Sequence, residues 1–384
     1  MTESTKRKRV VIATTTGFHV RRLARALQDR PIDLRYFSYM PRFRLRQDGL
    51  ADASSTSLFL SLLPLSALAL ARPFSSLRSW ATEALFAPTD RAIARRLPPC
   101  DVFIGLSSLS VLAAQQAKQL YGATVILERG SRHVLSQNDL VVAGGGTPLS
   151  SDRIRRELDG YACADYVSLL SEHSRESFIE RGFPPDRLFV NPLGVDLSCF
   201  RPSPRPDGSV RILFVGAWSQ QKGADLLLSA MERRPSWQLT HVGTIGDADQ
   251  RHLSNVNYIG TRDHRQLSEI MRDHHVLVLP SRQDGFGMVL LEGLASGLPV
   301  VASRMTGGRD IRERLTDPSL VELCDAGDCD SLLAAMEAQV DRLDTRPADR
   351  QIMTPADRAQ FGWSAYADRY WSFLQNVLDT RTTA

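Results

Sequence analysis

Apolar residues in this 384-residue chain come in short blocks, separated by stretches with helical spacing. RVVIATT, near the start, is a continuous apolar run, the pattern of a strand covered on both faces. After Gly17, HVRRLARALQDR puts Val20, Leu23, Ala24 and Leu27 on one helical face. IDLRYFSY, DVFIGLS, ATVILERG and YVSLLS read as further strands, with helical patterns in SVLAAQQAKQLYG and SDRIRRELDGYACA. The rhythm then restarts: VRILFVG, WQLTHVG, VNYIG, HVLVLPS and PVVAS are strand-like, again with helical stretches between them. WSAYADRYWSFLQNVL is an amphipathic helix, expected to pack back on the first half.

Short apolar strands alternating with helices predict an α/β fold with parallel sheets. FRPSPRPDGS, residues 200–209, has the proline-rich polar character of a linker. The reading is therefore two Rossmann-like domains, residues 1–200 and 201–355, with residues 356–384 as a C-terminal helix returning to the first. Ligands of open parallel sheets bind beyond the carboxyl ends of the strands. The two domains should face a central cleft that holds the site.

Composition narrows the classes. Net charge is only +4, so there is no electrostatic case for nucleic acid. Lysine is scarce (Lys6, Lys8, Lys118 and Lys222), which makes Lys222 conspicuous. Five scattered cysteines read as reduced packing residues of a cytoplasmic protein. The basic N-terminus passes straight into a strand pattern, and no signal peptide is expected. SLFLSLLPLSALALA, residues 57–71, is too short to span a bilayer and contains Pro64. It reads as core. Its alternative is peripheral contact with the inner face of a membrane, helped by Arg42, Arg44 and Arg46 just upstream.

Residues 280–303, PSRQDGFGMVLLEGLASGLPVVAS, carry the sharpest motif. A strand delivers Asp284 to its carboxyl end. Gly285 and Gly287 remove side chains so that backbone N–H groups can approach a ligand. A helix then starts near Gly287, with unpaired N–H groups suited to phosphate. Glu292 follows eight positions after Asp284, at the edge of that helix. This string, completed by Ala295, Gly297, Pro299, Val300 and Val301, resembles the acid–seven–acid motif of the GT-B glycosyltransferases, specifically retaining family 4.

The resemblance extends along most of the chain. FVGAWSQQKGADLLLSA is similar to the family's strand–glycine–helix element, with Gly216 and Lys222-Gly223, and NPLGVD, residues 191–196, to its interdomain segment. It implies that Asp284 faces the donor sugar and that the N–H groups of Gly285, Phe286, Gly287, Met288 and Val289 touch sugar and diphosphate. It further implies that Glu292 accepts hydrogen bonds from ribose and that Lys222 binds the diphosphate. Gly17 corresponds to the glycine turn facing acceptor and phosphate. His133, at the end of VILERGSRHV, corresponds to a family position that contacts the donor sugar, with Arg132 beside it. Two departures stand out: Asp284 replaces the usual Glu, and Ala217 replaces a diphosphate-clamping Arg, for which Arg132 is a candidate substitute.

What the resemblance implies is a retaining transferase. It would move a sugar from a nucleotide-diphosphate sugar, UDP favoured over GDP, to a glycan, lipid-linked or small-molecule acceptor, without cofactor or metal. Such activity serves polysaccharide or glycoconjugate biosynthesis. Asp247 and Asp249 form a D-x-D that reads as a surface loop, and His274 and His275 have no partner at ligand spacing. AGGGTP, residues 143–148, lacks a Walker lysine and reads as a loop near the cleft. The alternatives are a nucleotide-sugar epimerase on the same fold and a silent sugar-nucleotide-binding scaffold. A dehydrogenase is disfavoured, because no G-x-G-x-x-G follows the first strand.

Overall fold

The computed structural model describes residues 7–15, 18–70, 81–144, 146–251 and 253–380. Among them are two parallel sheets. The first runs β3-β2-β1-β4-β5-β6-β7, from β1 (Arg9–Ala13), β2 (Asp33–Ser38), β3 (Ser55–Ser57), β4 (Val102–Leu106), β5 (Thr124–Arg129), β6 (Tyr166–Leu169) and β7 (Leu188–Val190). The second runs β10-β9-β8-β11-β12-β13, from β8 (Arg211–Val215), β9 (Gln238–Val242), β10 (Val256–Tyr258), β11 (Val276–Leu279), β12 (Val300–Ser303) and β13 (Val321–Cys324). Each sheet reverses its strand order once, at β1/β4 and at β8/β11, and those are the points where ligands of such sheets bind.

The central strands are apolar throughout because helices cover both faces: every residue of β11 and β12 is buried. The helix Ala224–Glu232 starts at Gly223, whose φ of 74° no side chain adopts easily. A Cβ there would lie 2.2 Å from the carbonyl oxygen of Pro280, so a glycine is what lets this helix abut the loop after β11. The helix His264–Arg272 opens with a capping box between Asp263 and Gln266.

The last helix, Trp363–Thr380, buries Tyr366, Tyr370, Leu374 and Val377 at three- and four-residue spacing. It packs on the first half, where Phe373 stacks on Phe189 with centroids 4.1 Å apart and Arg22 lies 4.8 Å over the Trp363 ring. The chain therefore crosses between halves twice. The two crossings are joined: Val195 N–H donates to the Phe361 carbonyl at 2.8 Å and Val195 forms a parallel bridge with Gly362. The sequence reading omitted the short strands β3, β7 and β13.

Candidate active site

The loops after β8 and β11 leave the second sheet side by side at its reversal point. The first carries Gly216 and Lys222; the second carries Asp284 to Val289. They bring the two groups together, since Lys222 Nζ donates to Asp284 Oδ2. Asp284 is held at both ends of its residue. Its N–H donates to the Met305 carbonyl at 2.9 Å, and its Oδ1 accepts from Phe286 N–H at 3.4 Å.

Phe286 is buried and fills the space beneath the loop, against Gly307. The N–H groups of Gly287, Met288 and Val289 donate no hydrogen bond to any described residue. Glu292 lies one helical turn further on and is 6% exposed. Its carboxylate has no hydrogen bond or ion pair among the described residues, and burial raises its pKa to about 7. Its oxygens are open to accept from hydroxyl donors.

Gly216 is positioned from below by His241, whose Nε2 lies 2.9 Å from the Gly216 carbonyl oxygen. Arg282, two residues before Asp284, makes a two-pronged pair with Asp225, both bonds at 2.7 Å. Ala217 thus leaves Lys222 as the cation on the first loop, and Arg282 on the second is already committed to a carboxylate.

The first half closes over these loops. Gln283 Nε2 donates to Ser131 Oγ at 2.7 Å, Ser171 Oγ donates to the Gly285 carbonyl at 2.7 Å, and Glu172 N–H donates to Asp310 Oδ1 at 2.9 Å. Arg132 Nη1 donates to the His173 carbonyl at 3.2 Å and lies 3.8 Å from Met305 Sδ, so this arginine reaches the domain boundary.

His133 follows β5 on the loop that leads into the next helix. It is the N-cap of the helix Val134–Ala143, and its Nδ1 accepts from Leu135 N–H at 3.3 Å. Its ring sits between Tyr161 and Phe178, at 4.9 and 5.0 Å, and burial lowers its pKa to about 4. The ring therefore caps its helix through Nδ1 and packs in the first domain through its faces. Gly17 lies outside the described residues. In the D-x-D, Asp247 Oδ1 accepts from Gln220 N–H at 3.0 Å and Asp249 lies 3.4 Å from Arg251; the two serve separate local partners.

Several cleft residues have no motif. Glu128, the last but one residue of β5, is fully buried, accepts from the Tyr370 hydroxyl at 2.6 Å, and lies 3.4 Å from His19 Nε2. Arg129, its neighbour, makes a buried pair with Glu157 at 2.6 Å, and Ser107 and Ser108 donate to the same carboxylate oxygen. The available signal was a charged dipeptide at the end of an otherwise apolar strand.

Residues 14–194 match the family described as Glycosyl transferase 4-like domain, and residues 209–341 match Glycosyl transferases group 1. The chain belongs to the group 1 glycosyl transferases. As a member of that family it is an enzyme of the glycosyltransferase class, with the GT-B architecture of two facing α/β domains. It is 28% identical over 289 residues to a D-inositol 3-phosphate glycosyltransferase of Paenarthrobacter aurescens, covering 67% of this chain and 68% of the relative. It is 30% identical over 285 residues to a D-inositol 3-phosphate glycosyltransferase of Catenulispora acidiphila, covering 65% of each. The chain thus matches about two thirds of the length of these relatives. Among solved structures it is similar to sucrose-phosphate synthase from Thermosynechococcus elongatus, with TM-score 0.69, 19% identity, and coverage of 97% of this chain and 100% of that one. It is also similar to HepE of Anabaena in complex with UDP and glucose, with TM-score 0.67, 14% identity, and coverage of 96% and 100%. For this glycosyltransferase these last two likenesses describe the fold.

Proposed function

We propose that the protein is a retaining transferase that takes a sugar from a nucleotide-diphosphate sugar, a UDP-sugar in the first instance, and passes it to a glycan or lipid-linked acceptor. The observation that carries this is the placement of Lys222 and Asp284 across the reversal point of the second sheet, with the unpartnered carboxylate of Glu292 in the first turn of the helix that follows Asp284. Lys222 and the unpaired N–H groups of Gly287, Met288 and Val289 suit a diphosphate. Glu292 suits the two ribose hydroxyls, and Asp284 the hydroxyls of the donor sugar. In the reaction the acceptor oxygen bonds to the anomeric carbon while the bond to the diphosphate breaks. The acceptor proton passes to the departing phosphate oxygen on the same face. Positive charge and N–H dipoles fixed at that oxygen stabilise the negative charge it gains. The donor reading favours uridine because HepE was solved with UDP.

The acceptor reading rests on a cavity of about 510 Å³ between the halves. Gln220, Gln221 and Gln283 wall it on one side, and these are chain neighbours of Lys222 and Asp284. Leu140, Val141 and Arg153 face them from the first domain. Amide groups opposite an apolar floor suit a sugar ring, with hydroxyls on the former and C–H groups on the latter.

For a lipid-linked acceptor the protein would rest on an anionic membrane through exposed Arg42 and Arg44, with Phe43 58%, Leu60 78% and Leu63 49% exposed beside them. Ser57 Oγ donates to the Met40 carbonyl at 2.7 Å and ties the two segments together. Arg46 is not part of this patch, because Asp52 holds it. The apolar run 57–71 divides, with Leu58 and Leu62 in the core and Leu60 and Leu63 outside. No helix among the described residues is long and apolar enough to cross a membrane.

The test is a panel of UDP- and GDP-sugars with and without oligosaccharide acceptors. Acceptor-dependent release of nucleoside diphosphate, with the anomeric configuration of the donor kept in the product by NMR, supports the reading. Free epimer and UDP without acceptor would point to an epimerase. Sedimentation of wild type, but not Arg42→Ser/Arg44→Ser, with anionic liposomes tests the membrane contact.

A further inference from the structure

Lys222 and Asp284 stand on separate loops and neutralise each other, with side chains 25% and 20% exposed. The pair occupies the place where the donor reading needs both groups for other partners. Asp284 cannot leave, because its N–H and Oδ1 are tied to Met305 and Phe286. Only the partner of Oδ2 is free to change. No second cation on these loops stands ready to replace Lys222, since Arg282 is already fixed on Asp225 by two bonds.

We infer that this pair discriminates the sugar-bearing donor from the spent nucleoside diphosphate, so that product binds more weakly than donor. The inference rests on the donor reading above. A diphosphate arriving at Lys222 brings negative charge beside the Asp284 carboxylate and competes for its ammonium partner. Like charges in a partly buried site repel, and a carboxylate robbed of its counter-ion is costly there. With the donor, sugar hydroxyls donate to the oxygen that Lys222 gives up, and the carboxylate stays satisfied. With the spent nucleotide nothing replaces the ammonium. Transfer of the sugar therefore removes the group that made binding acceptable, and the pair re-forms as the product leaves. A lysine is suited to this exchange because its ammonium is a single mobile point charge rather than a fixed fork.

Calorimetry on the full chain with UDP and UDP-glucose, and in parallel GDP and GDP-mannose, tests this. Asp284→Asn removes the charge but keeps an oxygen for the Phe286 N–H. It should tighten the nucleoside diphosphate at least fivefold and change the sugar-bearing ligand less, so that the discrimination between them shrinks. In a Lys222→Met background the gain from Asp284→Asn should fall, because the contest for the ammonium is gone. If Asp284→Asn does not fold, Asp284→Ser carries the same comparison. Unchanged or weaker diphosphate binding in the Asp284 variants, or a gain of full size without Lys222, overturns the inference alone. Failure of every nucleotide to bind wild type overturns the donor reading beneath it.

Discussion

Gly285 faces the carbonyl oxygen of Gly130 across the cleft so closely that a Cβ on it would stand 1.8 Å from that oxygen. Only a residue without a side chain lets the donor loop meet the first domain in this way. Gly285→Ala should hold the halves apart and lower kcat/KM by about a hundredfold, the scale of a 1 Å misplacement. Nucleotide affinity, which the proposed donor site places in the second domain, should change little. Steady-state kinetics beside calorimetry separates the two, and wild-type turnover would show that catalysis does not need this approach.

Removing the ammonium should weaken nucleotide binding directly. Lys222→Ala is expected to cost about 1.5–3 kcal/mol of nucleoside-diphosphate affinity, the range for a hydrogen bond to a charged group. An unaltered dissociation constant in titration calorimetry counts against Lys222 as the diphosphate cation.

Glu292 gives a pH signature. Its carboxyl ionises near 4.5 in an unfolded chain and near 7 when folded. Between those values the unfolded state has released the proton and the folded state has not, so the ligand-free protein loses stability as pH rises through this window. In the proposed role, the ionised carboxylate accepts from two ribose hydroxyls more strongly than the neutral acid does. Binding of a nucleotide sugar should therefore strengthen from pH 6 to 8. Its diphosphate is esterified at both ends and does not titrate there. Glu292→Gln should flatten both the stability profile and the binding profile; a pH dependence that survives the substitution assigns it to another group.

Tyr370 and Glu128 form a buried bond between the last helix and the first sheet. Tyr370→Phe leaves that carboxylate oxygen without its donor, at an expected cost of about 1–3 kcal/mol. Ser372→Ala, on the exposed side of the same helix, should be near neutral. Urea unfolding of both variants makes the comparison.

Lys222 and the N–H groups after Gly287 are proposed to meet the diphosphate charge without a metal ion, so transfer should persist in EDTA. Loss of activity restored by Mg²⁺ or Mn²⁺ would bring Asp247 and Asp249 back as ligands.

The fold was legible where strands are buried on both faces. VLVL and VVAS can be little else, and they frame the site. The strands that went unread are short: β3 is STS and β7 is LFV, each three residues at a sheet edge, and β13 interrupts its run with Glu322. They pair on one side only and need no continuous apolar run. Asp284 and Glu292 stand out in one local string and Lys222 in another after its own strand–glycine turn; the sheet brings the two strings together across 62 residues. The Glu128–Tyr370 bond links residues 242 apart, and no spacing rule reaches that far. His133 shows a different limit. Its place just after a strand was legible, but its packing against Tyr161 and Phe178, which arrive from other elements, follows no local pattern.

The paired crossings at Val195 and Phe361–Gly362 set what kind of motion the halves can make. A single tether would let one domain swivel about the other. Two tethers bonded side by side leave bending as the easy motion, so the halves open like a book along its spine. The returning helix also makes the two pieces mutually dependent. If the backbone were cut within residues 200–209, the second fragment would still carry Trp363–Thr380, a handle already shaped to grip the first.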